Sequence, residues 1–128
     1  MPTLHLRIKP NTNNGINKIF LSNTIRSQNL TLHSVIINKA GTGFAHSQIY
    51  IRLPFLSANK LGFLTFPTEI STKGIETYSF GSGLMLDADH VPEVFECQLM
   101  DSDLAGITSS THFTSVDLYF SYESHSLF

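Results

Sequence analysis

Four side chains in one short segment could bind a cation. The segment LDADHVPE contains Asp87, Asp89, His90 and Glu93. Oxygen-rich clusters of this kind bind Ca²⁺ or a similar ion. The spacing lacks the D-x-D-x-D-G run of an EF-hand loop, which favours the alternative, a solvated turn between two strands.

Other residue types suited to catalysis also lack the spacing that catalysis needs. The six histidines are His5, His33, His46, His90, His112 and His125. None forms an H-x-H, an H-E-x-x-H or a Cys-His cluster, and no G-x-S-x-G, P-loop or dinucleotide fingerprint occurs. Glu93 and Glu96 could serve as a glycosidase pair, but no pattern places them across a cleft. The GSG at 81–83 is interpreted as a turn, because no helix follows it.

The single cysteine is also better explained by packing than by chemistry. Cys97 shares its parity with Phe95 and Leu99 in EVFECQLM, which predicts a thiol in the core. The sequence therefore predicts no catalytic, cofactor-binding or metal site, no cofactor, and a protein that is not an enzyme.

The aromatic residues leave one binding function open. The chain has ten Phe, four Tyr and no Trp. Sugar-binding sandwiches stack their ligands on exposed Trp or Tyr, and Tyr50, Tyr78 or Tyr119 could serve. A lectin-like, carbohydrate-binding sandwich is therefore the alternative to a structural role.

Length and composition indicate one domain spanning residues 1–128. Charged residues make up 14%, against about 25% in an average protein, which suits a surface covered by neighbouring molecules or a Ser/Thr-rich β domain. The start of the chain, MPTLHLRIKP, does not resemble a signal peptide, and no apolar run approaches the roughly 20 residues that span a bilayer. We expect a product made inside the cell, with no membrane span.

Period-2 alternation recurs along the whole chain. Leu4, Leu6 and Ile8 alternate with polar residues, and the cluster of turn formers at 10–15 follows. Further strands are predicted in NKIFLS, NLTLHSVIIN, SQIYIRLPF, Phe63–Phe66, Glu76–Phe80, EVFECQLM and FTSVDLYFSYE. In NLTLHSVIIN, Leu30, Leu32 and Ile36 share one parity, and Val35 and Ile37 share the other. A helical turn capped by Asp101 is the most helix that the pattern allows.

About eight short strands without helices predict an all-β fold, a single jelly-roll β-sandwich of antiparallel strands in two sheets. The last strand, FTSVDLYFSYE, is apolar enough to lie inside a sheet with both edges paired.

Charge is divided sharply between the two halves of the chain. Residues 1–64 carry seven Lys/Arg and no acid, and residues 65–128 carry ten acids and only Lys73, so +7 and −9 give the net charge of −2. Interleaved early and late strands would place opposite charges side by side in each sheet. Alternatively, a basic and an acidic end would join identical subunits, and both interpretations are compatible. A negative net charge with dispersed basic residues argues against nucleic-acid binding.

NLTLHSVIIN, SQIYIRLPF, EVFECQLMDSDLAG and FTSVDLYFSYE together resemble the small single jelly-roll capsid proteins of double-stranded DNA viruses. The likeness is greatest to minor capsid or penton-type proteins of virophages and polinton-like viruses, and it rests on strand order, length and the aromatic last strand. It implies a virion protein, assembled inside the host cell, that forms pentamers or trimers and contacts a major capsid protein or other virion proteins.

The same resemblance implies that loops and terminal segments make the subunit contacts. Penton proteins of that family often carry an insertion domain for which this chain has no room, which favours a minor, cement or compact vertex position. We expect the contacts in loops 10–15, 38–47 and 101–112. The segment SHSLF at 124–128 is expected to dock on its own subunit or on a neighbour.

Overall fold

The computed structural model describes residues 2–26, 29–41, 48–55, 63–67, 74–87 and 91–123. Eight strands form in these ranges, and no helix does. The strands are β1 (Thr3–Ile8), β2 (Ile16–Phe20), β3 (Asn29–Lys39), β4 (Gln48–Arg52), β5 (Phe63–Pro67), β6 (Gly74–Asp87), β7 (Val94–Asp101) and β8 (Phe113–Tyr122). The count and the all-β class confirm the prediction.

The strand pairing is that of a long hairpin rolled into two sheets. β1 pairs with β8, β2 with β7, β3 with β6 and β4 with β5, all antiparallel. Two further pairings, β3 with β8 and β4 with β7, close the roll. One sheet, here the β1 sheet, has the order β1-β8-β3-β6, and the other, the β2 sheet, has the order β2-β7-β4-β5. This is the jelly-roll sandwich, and β8 lies between two neighbours as predicted.

Every pairing joins one of the first four strands to one of the last four. The hairpin explains this, because each strand of its first arm lies against a strand of its second arm. The basic half and the acidic half of the chain are therefore interleaved in both sheets, which is the first of the two predicted arrangements.

The core lies between the sheets and follows the alternation of each strand. β1 alternates exposed and buried residues, with Leu4, Leu6 and Ile8 inside. The side of β8 that faces the core contributes Val116, Leu118 and Phe120, all buried. Each such side chain contributes about 1.5–3 kcal/mol when it is fully buried. The sandwich therefore gains its stability from the same two-residue period that predicts its strands.

One extra residue in β3 overturns a prediction about its core face. The pairing of β3 with β8 steps from Leu32 opposite Phe120 to Ser34 opposite Tyr119, so His33 is bulged out. A bulge shifts the parity of every residue after it. Val35 and Ile37 are buried with Leu30 and Leu32, and Ile36 lies on the outer face. The prediction that Ile36 lies on the same face as Leu30 and Leu32, with Val35 and Ile37 on the other, is wrong for this reason.

β6 is longer than predicted because it continues through the GSG sequence at 81–83. β3 pairs Leu32 with Leu84 and Ser34 with Ser79, so residues 80–83 form a bulge within the strand. Gly83 has φ of 104°, and a Cβ there would collide with the Cγ2 of Thr31. The glycine thus permits the bulge to lie against β3, and 81–83 is not a turn between strands.

The turn after β7 also differs from the prediction. Asp101 Oδ1 accepts hydrogen bonds from the backbone N–H groups of Asp103 and Ala105, at 2.9 and 3.1 Å. These bonds stabilise a turn, but Asp101 caps no helix. The residues that follow form a turn with Leu104 at φ of 63°, and a helical turn does not form.

Candidate functional site

The outer face of the β1 sheet carries the main concentration of polar side chains that the structure describes. β8 runs through its middle and presents Ser115, Asp117, Tyr119 and Ser121 outward. β1 supplies His5 and Arg7, which lie opposite Tyr119 and Asp117 in the register. On the other side of β8, β3 places Ser34 opposite Tyr119 and Asn38 opposite Ser115. This arrangement makes the face around Asp117 the candidate site.

Asp117 is an acid buried on an outer face, with 2% of the residue exposed. Its Oδ1 accepts hydrogen bonds from Arg7 Nε and from His5 Nε2, each at 2.8 Å. Its Oδ2 accepts one from Asn38 Nδ2 at 3.0 Å, and the same amide donates to Ser115 Oγ at 2.9 Å. These five residues are called the Asp117 cluster. Three donors from two strands satisfy both carboxylate oxygens.

The electrostatics of the Asp117 cluster favour the charged carboxylate. Burial alone would raise the pKa of Asp117, but the hydrogen bonds from Arg7 and His5, together with the positive charge of Arg7, outweigh it and lower the pKa below its usual value. Asp117, through its hydrogen bond and charge, raises the pKa of Arg7. A general base or acid works best with a pKa near the working pH. Asp117 is therefore suited to joining three strands and poorly suited to proton transfer.

Two histidines flank β8 near the Asp117 cluster. The His5 ring stacks on Tyr119, with centroids 4.5 Å apart and planes 2° from parallel. His33 Nε2 lies 2.6 Å from Ser121 Oγ, in hydrogen-bond contact. Both histidines lie on the outer face, as predicted for His5 and His33.

The Ser121–His33 pair has one feature of a nucleophile and its base, but little else of a catalytic site. Such pairs need a third group to orient the histidine and an accessible nucleophile. No described carboxylate bonds to His33, and Ser121 is 5% exposed. The contact therefore ties β3 to β8 across the bulge.

A second buried charge lies at the edge of the core. Lys39 Nζ donates to Glu76 Oε1 at 2.5 Å, and the hydroxyl of Tyr78 donates to Glu76 Oε2 at 3.1 Å. The side chain of Lys39 is 3% exposed and that of Glu76 is 15% exposed. Like Arg7 and Asp117, this pair joins a cation of the first half to an acid of the second.

The proposed cation ligands are only partly within the described residues. Asp89 and His90 lie outside them, as do His46 and His125. Asp87 is the last residue of β6, and Glu93 is exposed. Within the described ranges, no group of three or more His, Cys, Asp or Glu side chains could hold a metal ion.

The remaining candidates are placed clearly. Cys97 is 1% exposed, and burial raises the pKa of its thiol to about 12, so the predicted core thiol is confirmed. A groove of about 520 Å³ runs beside β7, and its described lining includes Glu96 but not Glu93. The glycosidase pair therefore does not converge on that groove.

The three tyrosines considered for sugar stacking are all half-buried. Tyr119 is occupied by the stack with His5, and Tyr78 donates to Glu76. Tyr50 lies opposite Met100, which is buried. None of the three presents a fully exposed aromatic ring.

Sequence reasoning missed the Asp117 cluster as a unit. Asp117 lies on the polar parity of FTSVDLYFSYE, as Arg7 does on that of β1, and only this parity was visible. Arg7 and Asp117 are 110 positions apart in the chain, so their contact depends on the β1–β8 register. The opposite charge of the two halves was the one available signal.

No protein-family model, curated protein or solved structure matches this chain. The described residues contain no apolar helix of the length that crosses a bilayer.

Proposed function

We propose that the protein is a structural subunit of a virion, a jelly-roll protein of the minor capsid or penton type. In this role it associates with copies of itself, as pentamers or trimers, and contacts a major capsid protein or other virion proteins. The proposal keeps the resemblance to the small capsid proteins of double-stranded DNA viruses as its starting point.

The observation that carries the proposal is the strand order, β1-β8-β3-β6 facing β2-β7-β4-β5. The resemblance implies a single jelly roll, and a fold with this pairing agrees with it. A fold alone does not specify a function, so the chemistry of the surface must agree as well.

The polar residues support a structural role because their hydrogen bonds connect strands. The Asp117 cluster links β1, β8 and β3, and Lys39 with Glu76 links β3 to β6. The buried charges among these residues are satisfied by protein groups, which leaves them little capacity to act on a substrate. A rigid sandwich with satisfied polar groups suits a subunit that must hold its shape under contact.

Binding to a capsid partner tests the proposal. The purified protein, immobilised through a tag, is exposed to an extract of virions or to the co-expressed major capsid protein, and retained proteins are identified by mass spectrometry. We expect saturable retention of a capsid protein. Absence of any virion partner, together with saturable binding on a glycan array, would replace the proposal with the carbohydrate-binding alternative.

A further inference from the structure

The outer face of β2 and β7 presents apolar and charged side chains side by side. Phe20 and Val94 lie opposite each other in the register and are 71% and 46% exposed. The next outward pair is Lys18 opposite Glu96, both exposed, and the next is Ile16 opposite Gln98. These six residues are called the β2–β7 face.

Exposure of the apolar part of this face to water is unfavourable. Phe20 is as exposed as any large hydrophobic residue that the structure describes, and its cross-strand partner is also apolar. The Lys18 Nζ lies 5.6 Å from the centroid of the Phe20 ring and covers part of it. Exposed apolar side chains beside charged ones are typical of an interaction surface.

The charges on the face remain available to a partner. Neither Lys18 nor Glu96 takes part in the ion pairs between described residues. The positive charge of Lys18 lies on β2, and the negative charge of Glu96 lies on β7. The face therefore has one basic and one acidic side, one strand spacing apart.

This division makes the face complementary to itself. A twofold axis parallel to the strands, midway between β2 and β7 and above the sheet, places β2 of one copy over β7 of the other. Lys18 then lies opposite Glu96 of the second copy, and Phe20 opposite its Val94. Both contacts occur twice, as in any isologous interface, and no like charges meet at this pair of positions.

We propose that the β2–β7 face docks on the same face of a second copy of this chain. The sheets then stack in the manner of an aligned sandwich, about 10 Å apart. The inference rests on the self-association proposed above and adds to it a twofold contact, which is distinct from the heterologous contacts that close a pentamer or trimer. Six side chains per copy are fewer than the 20–30 residues of a standard interface, so the dimer is weak and reversible on its own.

The test is sedimentation equilibrium of the full chain over a range of concentrations, with matched variants. F20S removes the apolar contact and should weaken the dimer roughly tenfold, as for a large aromatic residue buried at an interface. I75S is the control, because Ile75 is also 71% exposed but lies on β6 of the other sheet. It should leave the dissociation constant unchanged. Both variants alter exposed residues, and thermal unfolding verifies that each remains folded.

Charge reversal gives the sharper result. K18E and E96K each bring like charges together in the proposed dimer and should weaken it, and the double variant K18E/E96K should restore it. The inference is overturned if the double variant stays as weak as the single ones, or if F20S and I75S behave alike. In that case self-association, if measured in the wild type, survives through another surface. A wild-type protein that is monomeric throughout overturns the docking face, while retention of a capsid partner separately upholds the structural role.

Discussion

The Asp117 side chain is buried on a face of the sandwich that would otherwise be open to water. Arg7 and His5 from one side and Asn38 from the other cover it and supply its hydrogen bonds. A buried carboxylate is tolerated only when its oxygens are satisfied in this way. The contribution of this residue to stability therefore depends on both neighbouring strands of β8.

Replacing Asp117 by Asn tests this dependence. The amide keeps the shape but loses the charge, and one of its ends presents a donor where the carboxylate accepted. We expect a loss of about 1–3 kcal/mol in the free energy of unfolding, measured by urea denaturation. E123Q, which neutralises an exposed acid next to the same strand, is the control and should change stability little. Equal effects of the two substitutions would contradict the account of the cluster.

The lowered pKa of Asp117 also predicts how stability changes with pH. A carboxyl whose pKa is lower in the folded state stabilises the fold above its unfolded pKa of about 3.9, and this contribution is lost as the pH falls through the folded pKa. Stability of the wild type should therefore fall more steeply than that of D117N below about pH 4. Urea denaturation of both proteins at neutral and acid pH measures the difference between their free energies of unfolding. The other acids are common to both proteins, so their contributions cancel in this difference. Parallel acid curves would show that Asp117 has no lowered pKa.

At the scale of the strand, the sequence predicts which side chains face the core in most strands, but it does not predict the bulges. Alternation is a local property, so Leu4, Leu6 and Ile8 could be assigned to the core from β1 alone. The bulge at His33 depends on how β3 fits β8 and β6, which no local pattern contains. Parity therefore groups Ile36 with Leu30 and Leu32, whereas the structure groups Val35 and Ile37 with them.

Deleting single residues from β3 tests the bulge directly. Without His33, the sequence from Leu32 to Ile37 alternates regularly and matches β8 without a bulge. We expect that deletion of His33 preserves the fold and costs about 1 kcal/mol, mostly through the contact with Ser121. Deletion of Ile36, the matched control, turns Ile37 outward and should cost several kcal/mol or prevent folding. Thermal unfolding compares the two, and greater damage from the His33 deletion would refute the proposed register.

At the scale of the molecule, the interleaving of the two halves connects sequence, fold and proposed function. The division of charge between the two halves of the chain is visible in the sequence. The jelly-roll order places strands of the two halves side by side. Arg7 reaches Asp117, and Lys39 reaches Glu76, because early and late strands are neighbours. The sequence predicts the jelly-roll class, but it does not predict which strands pair. For that reason it does not predict which opposite charges meet. The β2–β7 face was not predicted from the sequence, because Phe20 is of a residue type that usually lies in the core.

The central claim is that this jelly roll is a subunit that assembles. The most direct measurement is the mass of the untagged protein in solution, by light scattering coupled to size-exclusion chromatography, from low to high micromolar concentration and at two salt concentrations. The account predicts a mass above that of one 14.2 kDa chain that rises with concentration and falls at high salt, as screened charges contribute less. A mass of one chain at every concentration and both salt conditions would contradict it.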